Sequence, residues 1–370
     1  VDKNDLDRLL SRLAQLDGSD LHIKAGGRAR MRLAGSLRTV EDEPVFTAED
    51  TERIAHAILN PANLEVFHDR HEIDFAYGLA GVGRFRVNAY YQRSSVALAF
   101  RRVLSTAVTV AELGLPPVVS KLASEHRGLI LVTGPTGSGK TTTLSAMVNH
   151  INLTRQCHVV TIEDPIEFLH TDRLAAIDQR EIGFDTESFA SAMRVVLRQD
   201  PDVILVGEMR DRETVEAALM AAETGHLVMS TLHTTNATET VNRIVDFFPP
   251  HQQAQIRVSL AGSLRGIVCQ RLIVDRTGNS RVPALEILVV NGRVQQSIID
   301  PMLTSEISSI IADGAYYGMT TFDQCLVDLV AKETVSLNDA MNAASNPHDL
   351  KVMLEQAGIL QTGQLASTFL

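Results

Sequence analysis

The chain of 370 residues has no tryptophan, and aromatic residues make up only 5% of it, so its cores are expected to be aliphatic. Cysteine is scarcer still: Cys157, Cys269 and Cys325 are far apart and odd in number. Their spacing excludes a metal-ligand cluster and a secreted disulfide framework, and fits the ordinary thiols of a cytosolic protein. No apolar run is long enough to span a bilayer, and the first residues lack the apolar core of a signal peptide. The expectation is a cytoplasmic protein, one that serves any membrane machine from that side. Basic charge is also in deficit, with 34 Lys and Arg against 45 Asp and Glu and a net charge of -11. That balance argues against a broad nucleic-acid-binding face, while leaving room for a local basic channel. At 45% apolar, with 23 glycines and 12 prolines spread along it, the sequence has the composition of two or three globular domains.

What is present is concentrated in one stretch. Residues 128–142 read G-L-I-L-V-T-G-P-T-G-S-G-K-T-T. Leu129–Val132 is a buried-strand run, and Gly134, Gly139, Lys140 and Thr141 satisfy G-x-x-x-x-G-K-[ST] before a helical pattern over about 140–154. Glycines let such a loop fold into an anion cup lined with N–H groups, and the helix directs its positive end at the same point. Gly134, Pro135, Thr136, Gly137, Ser138, Gly139, Lys140, Thr141 and Thr142 are therefore the expected ATP-binding residues. Lys140 neutralises the β- and γ-phosphates, and the Thr141 hydroxyl reaches Mg²⁺.

Two further strands end in acids. His158–Ile162 leads into Glu163-Asp164-Pro165-Ile166-Glu167, where Pro165 predicts a sharp exit that displays the carboxylates rather than packing them. Val203–Val206 leads into Gly207-Glu208, in the manner of a Walker B strand. Carboxylates at such an edge bind Mg²⁺ or hold the attacking water. The residues alone leave open which of Glu163 and Glu208 does which. Leu227–Thr231 is bracketed by His226 and His233; a single histidine there is ordinarily packing, whereas two beside an ATPase edge point to phosphate sensing. No spacing supplies a third ligand for a metal. Strands near 129, 158, 203 and 227 with helices between them predict a parallel, RecA-like α/β core.

Before the P-loop, Leu6, Leu9, Leu10, Leu13 and Leu16 mark a helix over about 3–16, and strands are expected at 20–24, 30–33, 73–77, 83–91 and 95–102. Helices over 48–59 and 62–70 complete a small α/β domain. Arg84, Arg86, Arg93, Arg101 and Arg102 crowd into it, either solvated beside local carboxylates or aimed at the phosphates of a neighbouring domain. Gly114 and Pro116-Pro117 mark the junction. The expected boundaries are 1–105, a linker 106–118, an ATPase domain 119–290 and a mostly helical part 291–370. In the last third a helix over 251–267, strands over 268–274 and 283–290, and helices over 292–299, 303–316, 321–331 and 337–344 are expected, with 360–370 loosely held.

The chain resembles the PilT-type retraction ATPases of type IV pili, within the secretion-ATPase superfamily. The signatures are G-S-D-L-H-I at 18–23, G-R-F-R-V-N at 83–88, the P-loop, T-I-E-D-P-I-E-F at 161–168, D-P-D-V-I-L-V-G-E-M-R-D at 200–211 and T-G-H-L-V-M-S-T-L-H-T at 224–234. The resemblance implies an N-terminal PAS-like domain and a homohexameric Mg²⁺-dependent ATPase acting on an inner-membrane platform protein. A paralogous retraction ATPase is a further partner, and no direct nucleic-acid contact is implied. It makes Glu163 the catalytic glutamate, Glu208 the Walker B acid, Arg86 and Arg101 the phosphate-reaching arginines, and His226 and His233 the histidine box. The four-cysteine zinc insertion and longer N-terminal region of assembly ATPases are not seen, which favours retraction. The A-I-R-N-L-I signature is replaced by Gly292–Ile299, and Q-R-E-I-G-F-D-T-E-S-F at 179–189 and Q-R-L at 270–272 also resemble the accessory paralogue or assembly and type II secretion relatives. A nucleic-acid translocase and a slow helper subunit are the competing readings.

Overall fold

The computed structural model describes residues 2–103, 108–278 and 280–360. It divides into two compact units, Val1–Thr106 with Glu167–Leu169, and Ala107–Ile166 with His170–Leu370. The first unit runs α1 (Lys3–Gln15), β1 (Asp20–Lys24), β2 (Arg30–Leu33), β3 (Ser36–Thr39), α2 (Ala48–Ile58), α3 (Pro61–Arg70), β4 (Glu72–Leu79), β5 (Gly83–Gln92) and β6 (Ser95–Arg102). Its strands form one antiparallel sheet in the order β3-β2-β1-β6-β5-β4. Alternation along β5 buries Phe85, Val87 and Ala89 and leaves Arg86 exposed between them. Leu6, Leu9, Leu10 and Leu13 of α1 join that core. The expectation of aliphatic cores holds only in part here, because Phe46, Phe67, Phe75, Phe85 and Phe100 are buried among the aliphatic side chains. A small domain gains more buried apolar area per side chain from rings, and this unit takes much of the chain's limited supply.

The second unit begins with α4 (Pro117–Ala123), β7 (Gly128–Thr133), α5 (Lys140–Thr154), β8 (His158–Glu163), β9 (Ala176–Glu181), α6 (Phe189–Val196), β10 (Val203–Val206), α7 (Arg212–Glu223) and β11 (Leu227–Leu232). It continues through α8 (Ala237–Asp246), α9 (Pro250–Ser263), β12 (Leu264–Val274) and β13 (Arg281–Val289). The helices α10 (Gly292–Ile299), α11 (Ile307–Ala312), α12 (Phe322–Ala331), α13 (Leu337–Ala343) and α14 (Pro347–Gln356) follow, with 3-10 turns at Thr304–Glu306 and Ala315–Tyr317. The sheet order is β13-β12-β7-β11-β10-β8-β9, parallel throughout except for the β12–β13 hairpin. Every residue of β7, β10 and β11 is buried, as a parallel strand covered on both faces requires. This core is aliphatic, as expected, apart from Phe189, Phe248 and Phe322.

Four elements depart from the sequence reading. The helix expected over 251–267 stops at Ser263, since Leu264 begins a strand that pairs with β7. Gly266 sits so close to α4 that a Cβ would lie 2.7 Å from Leu122 Cδ2. Sheet pairing and that contact override a local helical period. The helix expected over 303–316 is broken into a 3-10 turn, α11 and a second 3-10 turn, ending at Gly318 with φ +81°. Strand β9 and helix α14 were not anticipated, β9 because A-I-D-Q-R-E carries no apolar run. Residues 106–107 of the expected linker and 361–370 of the tail lie outside the described residues. Among the described residues no helix is long and apolar enough to cross a membrane.

His158, at the start of β8, ties that strand to β9 and to the turn that leads into β10. Its Nε2 lies 3.0 Å from Asp178 Oδ2 on β9, its Nδ1 lies 3.2 Å from the Asp200 carbonyl, and its N–H donates to Asp202 Oδ2. Both ring nitrogens face acceptors, so the imidazolium satisfies both at once. Burial alone would lower the His158 pKa, but the bonds to Asp178 and Asp200 outweigh it and raise it. The stabilisation is therefore complete below about pH 6.5 and is lost as pH rises through the higher folded value. Compared with His158→Gln, the wild-type protein should hold a higher urea midpoint at pH 6 and lose that advantage by mildly alkaline pH. Urea titrations of both proteins across this range check it, and added salt should shrink the difference because Asp178 is exposed.

Candidate active site

The P-loop leaves β7 at Gly134, whose φ is +144° and whose Cβ, if present, would lie 2.3 Å from the Gln270 carbonyl oxygen. Conformation and space both require glycine there. The loop closes at Gly139, with φ +88°, where a Cβ would meet Gln270 Nε2 at 2.8 Å. Pro135, Thr136 and Gly137 are exposed, Ser138 is buried, and Thr141 and Thr142 are half-buried in the first turn of α5. Lys140 is only 9% exposed, and its ammonium donates to the carbonyls of Gly134 (2.8 Å) and Pro135 (3.1 Å). A cation and the amino end of a 15-residue helix thus converge on one small loop.

Gln270 of β12 holds this loop in place. Its Nε2 donates to the Ser138 carbonyl at 2.7 Å, while its Oε1 accepts from Thr143 Oγ1 at 2.7 Å, one turn into α5. The buried amide therefore joins loop and helix across the sheet. A cavity of about 550 Å³ opens beside them, lined by Gly139, Thr142 and Thr143, by the Glu112–Leu115 turn, and by Leu272 and Arg281–Pro283 of the β12–β13 hairpin. Apart from Gly139 and Thr142, the sequence reading gave none of these groups a role in binding. A glutamine directly after the apolar run Ile267–Cys269, as at Q-R-L, was the available signal for Gln270.

The carboxyl ends of β7, β11, β10 and β8 follow one another along the sheet. Glu208 lies two residues beyond β10, where Ser230 Oγ and Thr231 Oγ1 donate to the carbonyls of Val206 and Gly207 at 2.7 Å each and fix the strand end. His233 Nε2 sits 3.0 Å from Glu208 Oε1, and Arg210 Nη2 lies 2.8 Å from Oε2. Arg210 also reaches to 3.9 Å from Asp164. Glu163 closes β8 and is 8% exposed. Its Oε1 accepts from Thr161 Oγ1 at 2.6 Å and from Gln179 Nε2 at 3.0 Å. The expectation that Pro165 would display this carboxylate is corrected: Asp164 and Glu167 are exposed, but Glu163 is packed. Strand β9, invisible to the apolar pattern, pairs with β8 and covers it.

Glu208 and His233 are thus brought together at the P-loop edge, but His226 is not. It precedes β11, and its carbonyl accepts from the N–H of Gly128, the first residue of β7. A six-residue strand rising about 3.3 Å per residue puts it roughly 20 Å from the loop edge of its own chain. Its ring Nδ1 lies 3.0 Å from the Ala221 carbonyl, closing the turn after α7. Within its own chain His226 therefore packs a turn and is not brought to the P-loop.

In the first unit, Arg86 and Arg101 are direct partners across β5 and β6, and Asp20 and Arg101 across β1 and β6. Directly opposed residues share a face of the sheet. Asp20 Oδ1 accepts from Arg101 Nε at 2.8 Å, and Arg32 on the far side lies 3.6 Å from Oδ2. Burial would raise the Asp20 carboxyl, but bonds from Ser19 and Arg101 hold it below the usual range. Arg86 and Arg101 are both exposed. One open face therefore carries paired guanidinium groups, suited to a multiply charged anion.

A parallel sheet with a P-loop at its carboxyl edge and acids on the neighbouring strands defines an ATPase of the RecA-like class. Residues 3–309 match the family model described as "Type II/IV secretion system protein". The chain is 42% identical over 345 residues to the type IV pilus retraction ATPase PilT of Pseudomonas aeruginosa, covering 93% of this chain and 99% of that one. It is 36% identical to the type IV pilus ATPase PilU of the same organism, over 98% and 94% of the two chains. A crystal structure of the pilus retraction motor PilT with bound ADP superposes with a TM-score of 0.86 at 43% identity, covering 94% of this chain and 99% of that one. The chain belongs to the type II/IV secretion system protein family, in its PilT-type branch: a RecA-like core with an N-terminal PAS-like domain and a helical C-terminal region.

The bracing of the P-loop gives a test. Gln270→Leu strands the Ser138 carbonyl and the Thr143 hydroxyl, a loss of about 1–3 kcal/mol. Nucleotide affinity should fall on the order of tenfold or more, as measured by titration with a fluorescent ADP analogue, with the fold intact by circular dichroism.

Proposed function

We propose that this chain is an ATP-hydrolysing motor that drives type IV pilus retraction through an inner-membrane platform protein. The observation that carries the reading is the alignment, at one sheet edge, of the P-loop with the Glu208–His233–Arg210 cluster and with Glu163, in a chain that matches PilT over nearly its whole length.

The P-loop amides and Lys140 bind the triphosphate, with Lys140 exchanging its two carbonyl acceptors for phosphate oxygens. The cavity between the Glu112–Leu115 turn and the β12–β13 hairpin has the position and volume for the adenosine. Thr141 and Glu208, with Glu163 through water, would hold Mg²⁺, and their hard oxygens suit an ion that takes one or two carboxylates and completes its shell with phosphate and water. When bound, the ion supplies charge neutralisation on the phosphates.

Glu163 orients the attacking water and takes its proton as the water oxygen bonds to the γ-phosphorus. The bond from that phosphorus to the β–γ bridging oxygen breaks, and ADP leaves with the bridging oxygen. His233 and Arg210 set the Glu208 carboxylate. Arg86 and Arg101, presented by a neighbouring subunit of a homohexamer, neutralise the developing charge. Loss of the γ-phosphate releases their grip and lets the subunits turn. The work is done on the cytoplasmic side of the membrane. The match to PilU keeps a second reading in play, an accessory retraction ATPase working beside a paralogue.

Glu163→Gln should retain ATP binding and lose turnover by about 10²–10⁴-fold, whereas Lys140→Ala should already fail at binding. Binding and phosphate release measured on the same preparations decide this, and normal turnover by Glu163→Gln would end the assignment. In cells, deletion should leave abundant surface pili that fail to shorten; loss of pili would instead mark an assembly motor.

A further inference from the structure

The segment Q-R-E-I-G-F at 179–184 has so far no part in the chemistry. Its first residue lies on β9, where Gln179 pairs with Thr161 and Glu181 with Glu163 in parallel register on β8. With side chains alternating along each strand, Thr161, Glu163 and Gln179 share one face of the sheet. Gln179 Nε2 donates to Glu163 Oε1 at 3.0 Å, the same oxygen that Thr161 Oγ1 reaches at 2.6 Å. At the other end of the amide, Gln179 Oε1 accepts the backbone N–H of His170 at 2.8 Å. A backbone N–H only donates, so the amide oxygen has to face His170, which leaves the NH₂ group facing the carboxylate. The amide cannot turn over without setting two donors against each other and an oxygen against a carboxylate.

We propose that Gln179 is a positioning residue for ATP hydrolysis: its amide, together with the Thr161 hydroxyl, sets the rotation of the Glu163 carboxylate toward the nucleophilic water. Two donors meet on one oxygen, so rotation about the terminal bond of Glu163 breaks both hydrogen bonds together. Thr161 approaches from within β8 and Gln179 from β9, so the carboxylate orientation depends on the pairing of the two strands. The inference rests on the reading of Glu163 as the group that orients water. It assigns to Gln179 no contact with ATP.

The test uses the full chain and four variants: Gln179→Met, which is close in shape but has no amide, Thr161→Val, Glu163→Gln, and the double variant Glu163→Gln/Gln179→Met. Gln179→Met should lower kcat about 10–100-fold, the usual loss when a group supporting a reactive side chain is removed. The KM for ATP should stay within about threefold, since the P-loop is untouched. Thr161→Val, a near-isosteric change at a buried site, should give the same split and keeps the idea testable should Gln179→Met fold poorly. In the Glu163→Gln background, Gln179→Met should change the residual rate by less than about twofold, because a residue acting through Glu163 has nothing left to position. A wild-type kcat for Gln179→Met, or for Thr161→Val, overturns the proposal. So does an equal fold-loss from Gln179→Met in both backgrounds, the signature of a structural role. If Glu163→Gln itself turns over normally, the underlying assignment of Glu163 has failed; if it is inactive while Gln179→Met is normal, this inference alone has failed.

Discussion

Burial of β7, β11, β10 and β8 on both faces is the constraint from which the rest of the ATPase unit follows. A strand with no solvent face has to be aliphatic, and its backbone polar groups have to be spent on its neighbours. Because these four are parallel and in register, their carboxyl ends lie along a single edge. Functional groups that begin where apolar character ends are therefore delivered to one place. Gly134, Glu163, Glu208 and His233 each fall at, or within two residues of, the end of a strand.

A buried edge of this kind also needs polar bracing, since an unpaired polar atom there is costly. The braces are short and local to the sheet: Ser230 and Thr231 on the end of β10, Thr161 and Gln179 on Glu163, and Gln270 on the P-loop and α5. Each uses a neutral side chain, which satisfies a carbonyl or carboxylate without adding charge inside the domain. The charged groups at the edge are mutually compensated instead, with Glu208 between His233 and Arg210. Such a cluster is preorganised and can still exchange partners when a phosphate arrives.

The N-terminal unit treats charge differently. Arg86 and Arg101 face each other across two strands, an arrangement that costs repulsion unless something of opposite sign is near. Asp20, on the next strand and itself mostly buried, supplies the counter-charge to Arg101. Both guanidinium groups remain exposed on the open face of the sheet while the opposite face closes over a core of aliphatic side chains and phenylalanines. The domain thus buries leucines and phenylalanines on one side and presents its arginines on the other.

Several features were legible in the sequence because their physics is local. The P-loop is a spacing rule; the strands of the parallel core are apolar runs; Glu208 and Glu163 stand where those runs stop. The R-F-R-V alternation at 84–87 puts Arg84 and Arg86 on one face of a strand, whereas the meeting of Arg86 with Arg101 is a matter of strand pairing. What the sequence could not settle depends on residues far apart in the chain. Strand β9 is polar and pairs with β8, and through Gln179 it helps to pack a Glu163 that the sequence leads one to expect displayed. Gln270 reaches the P-loop from 132 residues away, measured to the Ser138 carbonyl it bonds. His226 and His233 look equivalent on paper, yet a strand separates them, and only the one at the carboxyl end of β11 meets an acid. Composition and period determined which segments are buried and where each ends; the pairing of strands decided which polar side chains meet, because hydrogen bonds depend on distance in space.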